Sequence, residues 1–397
     1  MPKKRMSTNP TFATLFSGCG GFDLGFHEAG FKGIAAFDNE PIAVEVYNAN
    51  QHFNASIADL TSAPLKLTRT PDVVLAGPPC QGFSTLGKRK QNDPRNSLFV
   101  RAAEIAVQLN PQVIAIENVT GVLSGDMAKH YDRAERTLAE GGYKTRLLRI
   151  TTTDFGLPQI RKRILLLAGK RSLDDIELPT TTKTPKLSDV MMECGGCNHK
   201  PVQLKGDSNE LLIAKRIGPH QKLCNVRGGN RAVPTWEIPE VFGEVTDREM
   251  EILQTIRQLR RQIRRRSYGD ADPVQISDLQ DRLNWSPLPA LKKLINKSYI
   301  KMVGDGFDFT HGFNGKYRRL SYDHPAPAVD TRFGQPRYFI HPTEHRGLSV
   351  REAARIQGFP DDFIFHGAIH QQYRLVGNAV PPPIGRWLAK QIVEKLL

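Results

Sequence analysis

Short, nearly continuous hydrophobic runs alternate with helix-like stretches over residues 11–170. The runs are bounded by turn residues, and they are Thr11–Phe16, Ile34–Phe37, Val73–Ala76, Val113–Ile116 and Ile164–Ala168. Strands that are buried on both faces of a parallel sheet have this pattern. Asn96–Leu109 and Asp132–Glu140 are examples of the helix-like stretches between them. The alternation predicts an α/β fold with a doubly wound, mostly parallel sheet.

The regular alternation ends after the last of these strands. Glu177–Asp189 is rich in Thr, Pro and Lys, a composition that is typical of a linker. The stretch that follows is polar, basic and irregular. We therefore predict a smaller domain inserted at residues 172–320, between a first domain at residues 1–171 and a C-terminal segment at residues 321–397 that completes it.

The inserted region contains the pattern of a winged-helix-like unit. Thr246-Asp-Arg-Glu249 is a capping box, which predicts the start of a helix. The apolar face of that helix is spaced at Ile252, Leu253, Ile256, Leu259 and Ile263. Two shorter helices are predicted at Gln275–Asn284 and Leu288–Asn296, and Gly304-Asp305-Gly306 indicates a hairpin.

The C-terminal segment regains a regular pattern. Ser349-Val-Arg-Glu352 is a second capping box, and its helix is predicted to end at Gly358. The last helix is predicted to begin after Pro381 and to bury apolar residues four apart, Ile384, Leu388, Ile392 and Leu396.

A glycine-rich loop, Ser17-Gly-Cys-Gly-Gly21, follows the first predicted strand. Glycines let the backbone approach a ligand closely, although such a loop can also be only a tight turn. The spacing does not match the G-x-G-x-x-G pattern of dinucleotide sites. Asp38-Asn39-Glu40 follows the second strand, where a carboxylate can bind ribose hydroxyls, and Asp59 follows the third, where it could meet an adenine amine. These features favour a nucleoside cofactor.

A cysteine lies at the end of the predicted strand Val73–Ala76, within Gly77-Pro-Pro-Cys80-Gln-Gly-Phe-Ser84. A free cysteine is most often a small buried hydrophobe, but its polar and backbone-restricting neighbours suit a reactive thiol better. Glu117 ends another strand, and Arg161 and Arg163 precede a further one. A carboxyl group can donate a proton, and an arginine can hold a carbonyl oxygen. Together with Cys80 they form a candidate catalytic constellation.

Positive charge is in excess over the whole chain. The 397 residues include 55 Lys and Arg against 41 Asp and Glu, a net charge of +14. Such a surplus attracts polyanions but does not by itself identify one. No apolar run is long enough for a membrane span, and five cysteines do not make a disulfide scaffold. We expect a protein of a reducing compartment.

Several motifs together resemble the DNA (cytosine-5) methyltransferase family, in its order and across nearly the whole chain. They are Phe16-Ser-Gly-Cys-Gly-Gly21, Gly77-Pro-Pro-Cys-Gln-Gly-Phe-Ser84, Glu117-Asn-Val119, Gln159-x-Arg161-x-Arg163, Arg351-Glu-Ala-Ala-Arg-Ile-Gln-Gly-Phe-Pro360 and Gly377-Asn-Ala-Val380. The resemblance implies an S-adenosylmethionine-dependent methyltransferase fold. The roughly 150 residues after Arg163 correspond to the variable target-recognition region of the family.

The resemblance also implies roles for matching residues. Cys80 would attack carbon 6 of a flipped-out cytosine, Glu117 would engage ring nitrogen 3 and the exocyclic amine, and Arg163, with Arg161, would contact the carbonyl. S-adenosyl-L-methionine would supply the methyl group for carbon 5. The residues implied to line its site are Phe16, Ser17, Gly18, Cys19, Gly20, Glu40 (ribose), Asp59 (adenine), Asn378 and Ala379. Pro41 departs from the family pattern, in which a larger residue is often found beside adenine.

Double-stranded DNA is the partner that the resemblance implies. The compact length suggests a prokaryotic, cytoplasmic enzyme that protects DNA from a cognate restriction endonuclease, with no membrane association. Two rivals remain: an RNA cytosine methyltransferase with the same constellation, and a non-catalytic DNA-binding regulator on this scaffold. The inserted region argues against the first, and the complete set of chemical positions against the second.

Clustered arginines in the inserted region are candidate DNA contacts. Six arginines fall within Arg257–Arg266, and Arg227-Gly-Gly-Asn-Arg231 places two donors around flexible backbone. The predicted DNA-binding residues are Arg227, Arg231, Arg257, Arg260, Arg261 and Arg264. A second motif, Cys194-Gly-Gly-Cys197-Asn-His199, contains soft metal ligands, but only the first pair has strong metal-ligand spacing. We predict no metal.

Overall fold

The computed structural model describes residues 9–61, 65–79, 97–181, 183–263, 265 and 271–397. These residues form two compact units. The first unit contains the described residues of Met1–Lys200, Tyr322–Thr331 and Ser349–Leu397, and the second contains those of Pro201–Ser321 and Arg332–Leu348. In the described ranges, no helix combines the length and the apolar character needed to cross a membrane.

The boundaries of these units differ in two places from the domain boundaries predicted from the sequence. Residues 172–200 belong to the first unit, partly because the Arg146 guanidinium donates hydrogen bonds to the carbonyls of Leu173, Asp174 and Ile176. Residues 332–348 belong to the second unit, in which Phe339–Ile340 pairs with Arg318–Arg319. The composition of this stretch is typical of a linker, but composition alone does not show that its backbone carbonyls accept hydrogen bonds from a distant arginine.

A seven-stranded sheet forms the centre of the first unit. Numbered along the chain, the strands of this part are β1 (Thr11–Leu15), β2 (Lys32–Asp38), β3 (Ala55–Ile57), β4 (Val73–Ala76), β5 (Val113–Val119), β6 (Lys144–Thr151), β7 (Gln159–Ile160) and β8 (Lys162–Gly169). The order in the sheet is β3-β2-β1-β4-β5-β8-β6. Strands β1 to β5 are parallel, whereas β8 is antiparallel to both β5 and β6. The predicted mostly parallel sheet is confirmed.

All five strands predicted from hydrophobic runs are present, and β1 and β4 are buried at every residue. Strand β6 was not predicted. Five of its eight residues are polar (Lys144, Thr145, Arg146, Arg149 and Thr151), and it lies at the edge of the sheet. An edge strand in which most residues are polar lacks the continuous apolar run by which the other strands were recognised.

Helices cover both faces of this sheet, as expected for a doubly wound fold. Those before residue 200 are α1 (Gly21–Glu28), α2 (Pro41–Asn50), α3 (Leu98–Leu109), α4 (Ala128–Glu140) and α5 (Ser188–Met191). Apolar residues of α3 and α4 share one buried cluster with one side of the sheet, and those of α1 share another cluster with the other side. The helices predicted at Asn96–Leu109 and Asp132–Glu140 correspond to α3 and α4.

The second unit has a helical core with short strands. Its elements are α6 (Asn209–Arg216), β9 (Lys222–Leu223), β10 (Ala232–Val233), α7 (Pro239–Phe242), α8 (Asp247–Gln262), β11 (Val274–Gln275), α9 (Ile276–Arg282), α10 (Leu288–Asn296), β12 (Ile300–Val303), β13 (Gly306–Phe309), β14 (Arg318–Arg319) and β16 (Phe339–Ile340). The predicted capping box of α8 is formed, because Thr246 and Glu249 exchange side-chain-to-backbone hydrogen bonds. The predicted pair of shorter helices and the hairpin are also present.

The C-terminal part returns to the first unit. Its elements are β15 (Ala326–Pro327), which pairs with β7, and the helices α11 (Val350–Gln357), α12 (Ile369–Asn378) and α13 (Pro382–Lys395). The capping box at Ser349 and the left-handed Gly358 bound α11 as predicted. Helix α13 packs closely on α1, since a Cβ on Gly25 would lie 2.1 Å from the carbonyl oxygen of Pro382.

Asp23 of α1 gives the first unit a testable pH dependence. Burial raises the pKa of this carboxyl from 3.8 to about 6, although a hydrogen bond from the Tyr47 hydroxyl opposes the shift. The folded state therefore retains a proton that the unfolded state releases, and stability falls as pH rises from about 4 to 6. The loss is at most roughly 3 kcal/mol.

Replacing Asp23 with asparagine removes this titration. We expect the Tm of the wild-type protein, relative to that of Asp23→Asn, to fall between pH 4 and pH 7, as measured by calorimetry. A constant Tm difference between the two proteins over that range would contradict the predicted buried titration.

Candidate active site

A cavity of about 310 Å³ lies where β1 to β5 end in the first unit. Ligands of open α/β sheets bind beyond the carboxyl ends of the strands. Most of the described residues that the sequence proposed for the site line it, namely Phe16, Ser17, Gly18, Cys19, Glu40, Asp59, Glu117, Arg161, Arg163, Asn378 and Ala379. The fold thus brings together side chains that are up to about 360 positions apart in the sequence.

The loop after β1 forms one wall of the cavity. Phe16 has a φ of 55° and Gly18 a φ of 56°, and no heavy atom lies within 4 Å of the position that a Cβ of Gly18 would occupy. Gly20, although predicted as a cofactor contact, is not among the lining residues. Its φ is 87°, and a Cβ there would lie 2.8 Å from the ring of Tyr47, so Gly20 is required for the local backbone.

Asp38 at the end of β2 organises this wall. Its carboxylate accepts hydrogen bonds from the backbone N–H groups of Gly18 (2.8 Å) and Glu40 (2.9 Å). Burial raises the pKa of Asp38, and backbone hydrogen bonds from Gly18 and Asn39 only partly oppose that effect. Sequence reasoning noted this residue but did not select it. The sequence feature that pointed to Asp38 was its place at a strand end, next to Glu40.

Two predicted nucleoside contacts have well-defined partners. The Glu40 carboxylate forms an ion pair with Arg374 of α12, a residue that sequence reasoning missed. Asp59 is exposed, and its carboxylate accepts a hydrogen bond from the backbone N–H of Thr61 (2.9 Å), which lowers the pKa of Asp59. Both carboxylates therefore border the cavity as acceptors.

Cys19 is buried in the cavity wall. Its Sγ lies 3.7 Å from the carbonyl oxygen of Leu375. Burial raises the pKa of the Cys19 thiol to about 12, so this cysteine is a neutral thiol at physiological pH. Cys19 is therefore poorly suited to act as a nucleophile.

The loop after β4 reaches the cavity at Gly77, Pro78 and Pro79. The Asn118 side chain donates a hydrogen bond to the carbonyl oxygen of Pro78 (3.2 Å) and so ties this loop to the end of β5. Cys80, the next residue in the sequence, lies outside the described residues.

Glu117 and Arg163 form an ion pair at the cavity, with 2.9 Å between Glu117 Oε1 and Arg163 Nε. They stand near the ends of the neighbouring antiparallel strands β5 and β8, where Val119 is opposite Arg163. Both side chains are mostly buried, at 10% exposure for Glu117 and 15% for Arg163. The carboxylate of Glu117 and the guanidinium of Arg163, which the sequence analysis placed in one catalytic constellation, are thus held together.

Arg161 lines the same cavity, but its guanidinium is bound to backbone. Nη1 donates to the carbonyl oxygens of Val329 (3.2 Å) and Gly377 (2.8 Å), and Nη2 donates to that of Ala379 (3.1 Å). The residue is 2% exposed. The structure therefore gives Arg161 a positioning role for the segment that contains Asn378 and Ala379, in place of the predicted contact with a base carbonyl.

The predicted DNA-binding arginines of the second unit fall into two groups. Arg227, Arg257 and Arg261 line an open groove of about 630 Å³, and Arg231 is exposed in the same loop as Arg227. Arg260 instead forms two hydrogen bonds with the carboxylate of Asp308, at 3.0 and 3.1 Å. This pair joins α8 to β13, and the DNA contact of Arg260 stays a prediction. Arg264 lies outside the described residues.

The cysteine-rich motif at residues 194–199 contains candidate metal ligands. In the part of the chain that the structure describes, no group of three or more His, Cys, Asp or Glu residues is placed to hold a metal ion. The imidazole Nδ1 of His199 lies 2.9 Å from the Ser349 hydroxyl, at the start of α11.

Known proteins resemble this chain over almost its full length. The family model of the C-5 cytosine-specific DNA methylases matches residues 11–394. The type II methyltransferase M.DdeI of Desulfomicrobium norvegicum is 30% identical over 399 residues, which cover 95% of this chain and 87% of that protein. M.AgeI of Thalassovita gelatinovora, also a type II methyltransferase, is 30% identical over 438 residues, with coverages of 95% and 98%.

Solved structures share the fold. An E. coli prophage protein assigned to the DNA modification methyltransferases matches with a TM-score of 0.61 at 21% identity, over 97% of this chain and 99% of that chain. The Dnmt2 methyltransferase of S. pombe matches with a TM-score of 0.55 at 16% identity, with the same coverages. On the family match across the chain, this protein belongs to the C-5 cytosine-specific DNA methylases and is a DNA (cytosine-5) methyltransferase.

Proposed function

We propose that the enzyme transfers the methyl group of S-adenosylmethionine to carbon 5 of a cytosine flipped out of a specific duplex DNA sequence, through a covalent bond to Cys80. The buried Glu117–Arg163 pair carries this proposal, because it shares one cavity with the glycine-rich loop and with the loop that leads to Cys80. That cavity combines groups for a base with groups for a nucleoside cofactor.

The cavity wall suits S-adenosylmethionine, which when bound supplies an electrophilic methyl group. Ser17 Oγ is buried and has no hydrogen-bond partner among the described residues, so it can accept or donate to a ligand. The open space at Gly18 lets the backbone approach the cofactor. Glu40 and Asp59 are acceptors for ribose hydroxyls and the adenine amine, and Asn378 and Ala379 line the site from the end of α12.

The covalent step makes carbon 5 nucleophilic. Cys80, as the thiolate, forms a bond to carbon 6, and the π electrons of the 5,6 double bond become available at carbon 5. Carbon 5 would then bond to the methyl group that the bound cofactor supplies, while the carbon–sulfur bond of that methyl group breaks. Loss of the proton from carbon 5 restores the double bond and expels the thiolate. The products are 5-methylcytosine, the demethylated cofactor and one proton.

Glu117 and Arg163 stabilise the ring during this attack. Electron density that the thiolate adds is delocalised toward ring nitrogen 3 and the carbonyl oxygen. A carboxyl group that has taken up a proton from solvent can share or donate it at nitrogen 3, and a guanidinium can hold the oxygen. The 2.9 Å ion pair fixes the two groups relative to each other before the base arrives.

Access to carbon 6 requires base flipping, because a stacked base cannot expose its ring face to a thiol. Flipping costs a few kcal/mol, which contacts to the DNA backbone can offset. In the second unit, the groove with Arg227, Arg257 and Arg261 and the neighbouring Arg231 is suited to phosphates.

The biological role that we propose is protection of DNA from a cognate restriction endonuclease. The similar proteins M.DdeI and M.AgeI are type II methyltransferases, and the chain covers 87% and 98% of their lengths. The proposed role predicts that methylation blocks cleavage by an endonuclease with the same recognition sequence.

Methylation of a random duplex library, followed by bisulfite sequencing, tests the activity, the base and the sequence specificity together. We expect protected cytosines at one position within one short recognition sequence. Transfer RNA and single-stranded DNA are tested as competing substrates, and methyl transfer to each is measured with the same S-adenosylmethionine. Labelling of RNA alone, or no protection of cytosine, would contradict the proposed function.

A further inference from the structure

The second unit contains a module that the proposed chemistry does not use. Its elements follow the order helix, strand, helix, helix, strand, strand, from α8 to β13, and its strands form an antiparallel sheet of order β11-β13-β12. This is the order of a winged-helix unit. Helices α9 and α10, separated by residues 283–287, correspond to its helix-turn-helix. In such motifs the second helix enters the major groove, and residues of its N-terminal part contact base edges.

Helix α10 buries one side and exposes the other. Ala290, Leu291 and Leu294 are part of the apolar cluster of the module. The exposed side carries residues four apart, Leu288, Lys292 and Asn296, beside a second exposed pair, Pro289 and Lys293. Positions four apart lie on one face of a helix. Leu288 is 44% exposed at the start of α10, where an apolar group can contact a thymine methyl.

The hairpin of the module is exposed as well. Strands β12 and β13 are joined at Gly304-Asp305, and Lys301, Met302 and Val303 are exposed on β12. Met302 is 62% exposed. A lysine beside apolar side chains can contact a phosphate and the adjacent groove of a duplex.

The charged residues of the module include both paired and unpaired groups. Arg260 is bound to Asp308, Arg265 to Asp278, and Lys297 to Glu249. These pairs hold the module together. Lys292, Lys293 and Lys301 form no ion pair with any carboxylate of the described residues, so their charges are available to a polyanion.

We propose that α10 lies in the major groove and determines part of the recognition sequence, while the β12–β13 hairpin contacts the flanking DNA backbone. This inference rests on the proposed function of the enzyme on duplex DNA. It assigns base reading to α10, whereas the arginine groove beside α8 is left with phosphate contacts, which position the duplex but carry no sequence information.

The test is the recognition sequence of the full-length variant Leu288→Ala/Lys292→Ala/Asn296→Ala. Methylation of the random duplex library is read by bisulfite sequencing, as for the wild-type enzyme. We expect cytosine methylation to continue with relaxed preference at one or more base pairs, and each lost contact to reduce discrimination by roughly 5- to 150-fold. The matched control, Val202→Ala/Lys205→Ala/Asn209→Ala, removes an exposed aliphatic residue, a lysine and an asparagine elsewhere in the second unit. We expect this control to retain the wild-type recognition sequence.

The hairpin is tested separately by Lys301→Ala. We expect weaker DNA binding with an unchanged recognition sequence, and a slope of log K against log salt that is smaller by about 0.9, the value for one phosphate contact. An unchanged salt slope would overturn the assignment of the hairpin.

Two outcomes would overturn the role of α10. One is a triple variant with the wild-type recognition sequence and rate; the other is a uniform loss of rate on all sequences, which indicates phosphate contacts or a protein partner. Failure of the wild-type enzyme to methylate cytosine in duplex DNA would instead refute the proposed function, and it is observed before any variant is made.

Discussion

Glu117→Gln is expected to lower kcat by about 10²- to 10⁴-fold, the range for losing a general acid or base. Glutamine preserves the shape of the side chain but cannot donate the carboxyl proton to ring nitrogen 3. The measurement is methyl transfer under single-turnover conditions on the duplex that the wild-type enzyme prefers. Cofactor affinity should remain within about twofold, because Glu117 belongs to the part of the cavity that we assign to the base.

The matched control is Glu140→Gln, which changes an exposed carboxylate at the end of α4. This variant should retain wild-type kcat. If Glu117→Gln also kept kcat within threefold of wild type, the Glu117–Arg163 pair could not be the catalytic centre.

Arg161→Lys is expected to destabilise the first unit and to weaken cofactor binding. A lysine keeps the charge, but a single ammonium group cannot reproduce the planar set of donors that reaches the carbonyls of Val329, Gly377 and Ala379. Hydrogen bonds from charged groups contribute about 1.5–3 kcal/mol each, so the loss should be about 2–5 kcal/mol. Calorimetry measures the change in Tm.

A measurement of cofactor affinity distinguishes a role of Arg161 in positioning the cofactor site from a role in stability alone. Asn378 and Ala379, which Arg161 holds in place, line the cavity. We expect a Kd for S-adenosylmethionine that is at least tenfold higher than wild type at a temperature well below the Tm of the variant. Arg171→Lys, at an exposed position, is the control. A lower Tm with unchanged cofactor Kd would reduce Arg161 to a purely structural residue.

Local sequence pattern was sufficient to predict much of the fold. The buried strands β1, β4 and β5 are apolar runs, and the capping boxes at Thr246 and Ser349 place side chains three residues apart, so each could be read from a few adjacent residues. Strand β6 was not predicted because five of its eight residues are polar. Helix α12, whose sequence is largely polar before Leu375, was missed for a similar reason.

Contacts between distant residues account for the remaining differences. The sequence identified Glu40, Arg161 and Arg260 as charged residues of interest, but their partners are Arg374, three backbone carbonyls and Asp308. No local pattern specifies a partner so far along the chain. The sequence therefore predicted which residues line the cavity better than it predicted what each of those residues does.

The covalent bond between Cys80 and the target base is the central claim of the proposed mechanism. It is tested by incubating the enzyme and S-adenosylmethionine with a duplex that has 5-fluorocytosine at the target position. Fluorine does not leave carbon 5 as a proton does, so the thiolate cannot be expelled and the adduct persists. We predict a protein–DNA adduct that survives denaturation, maps to Cys80 by mass spectrometry and is absent for Cys80→Ala. An enzyme that methylates the ordinary duplex but forms no adduct, or forms it at another residue, would contradict the mechanism.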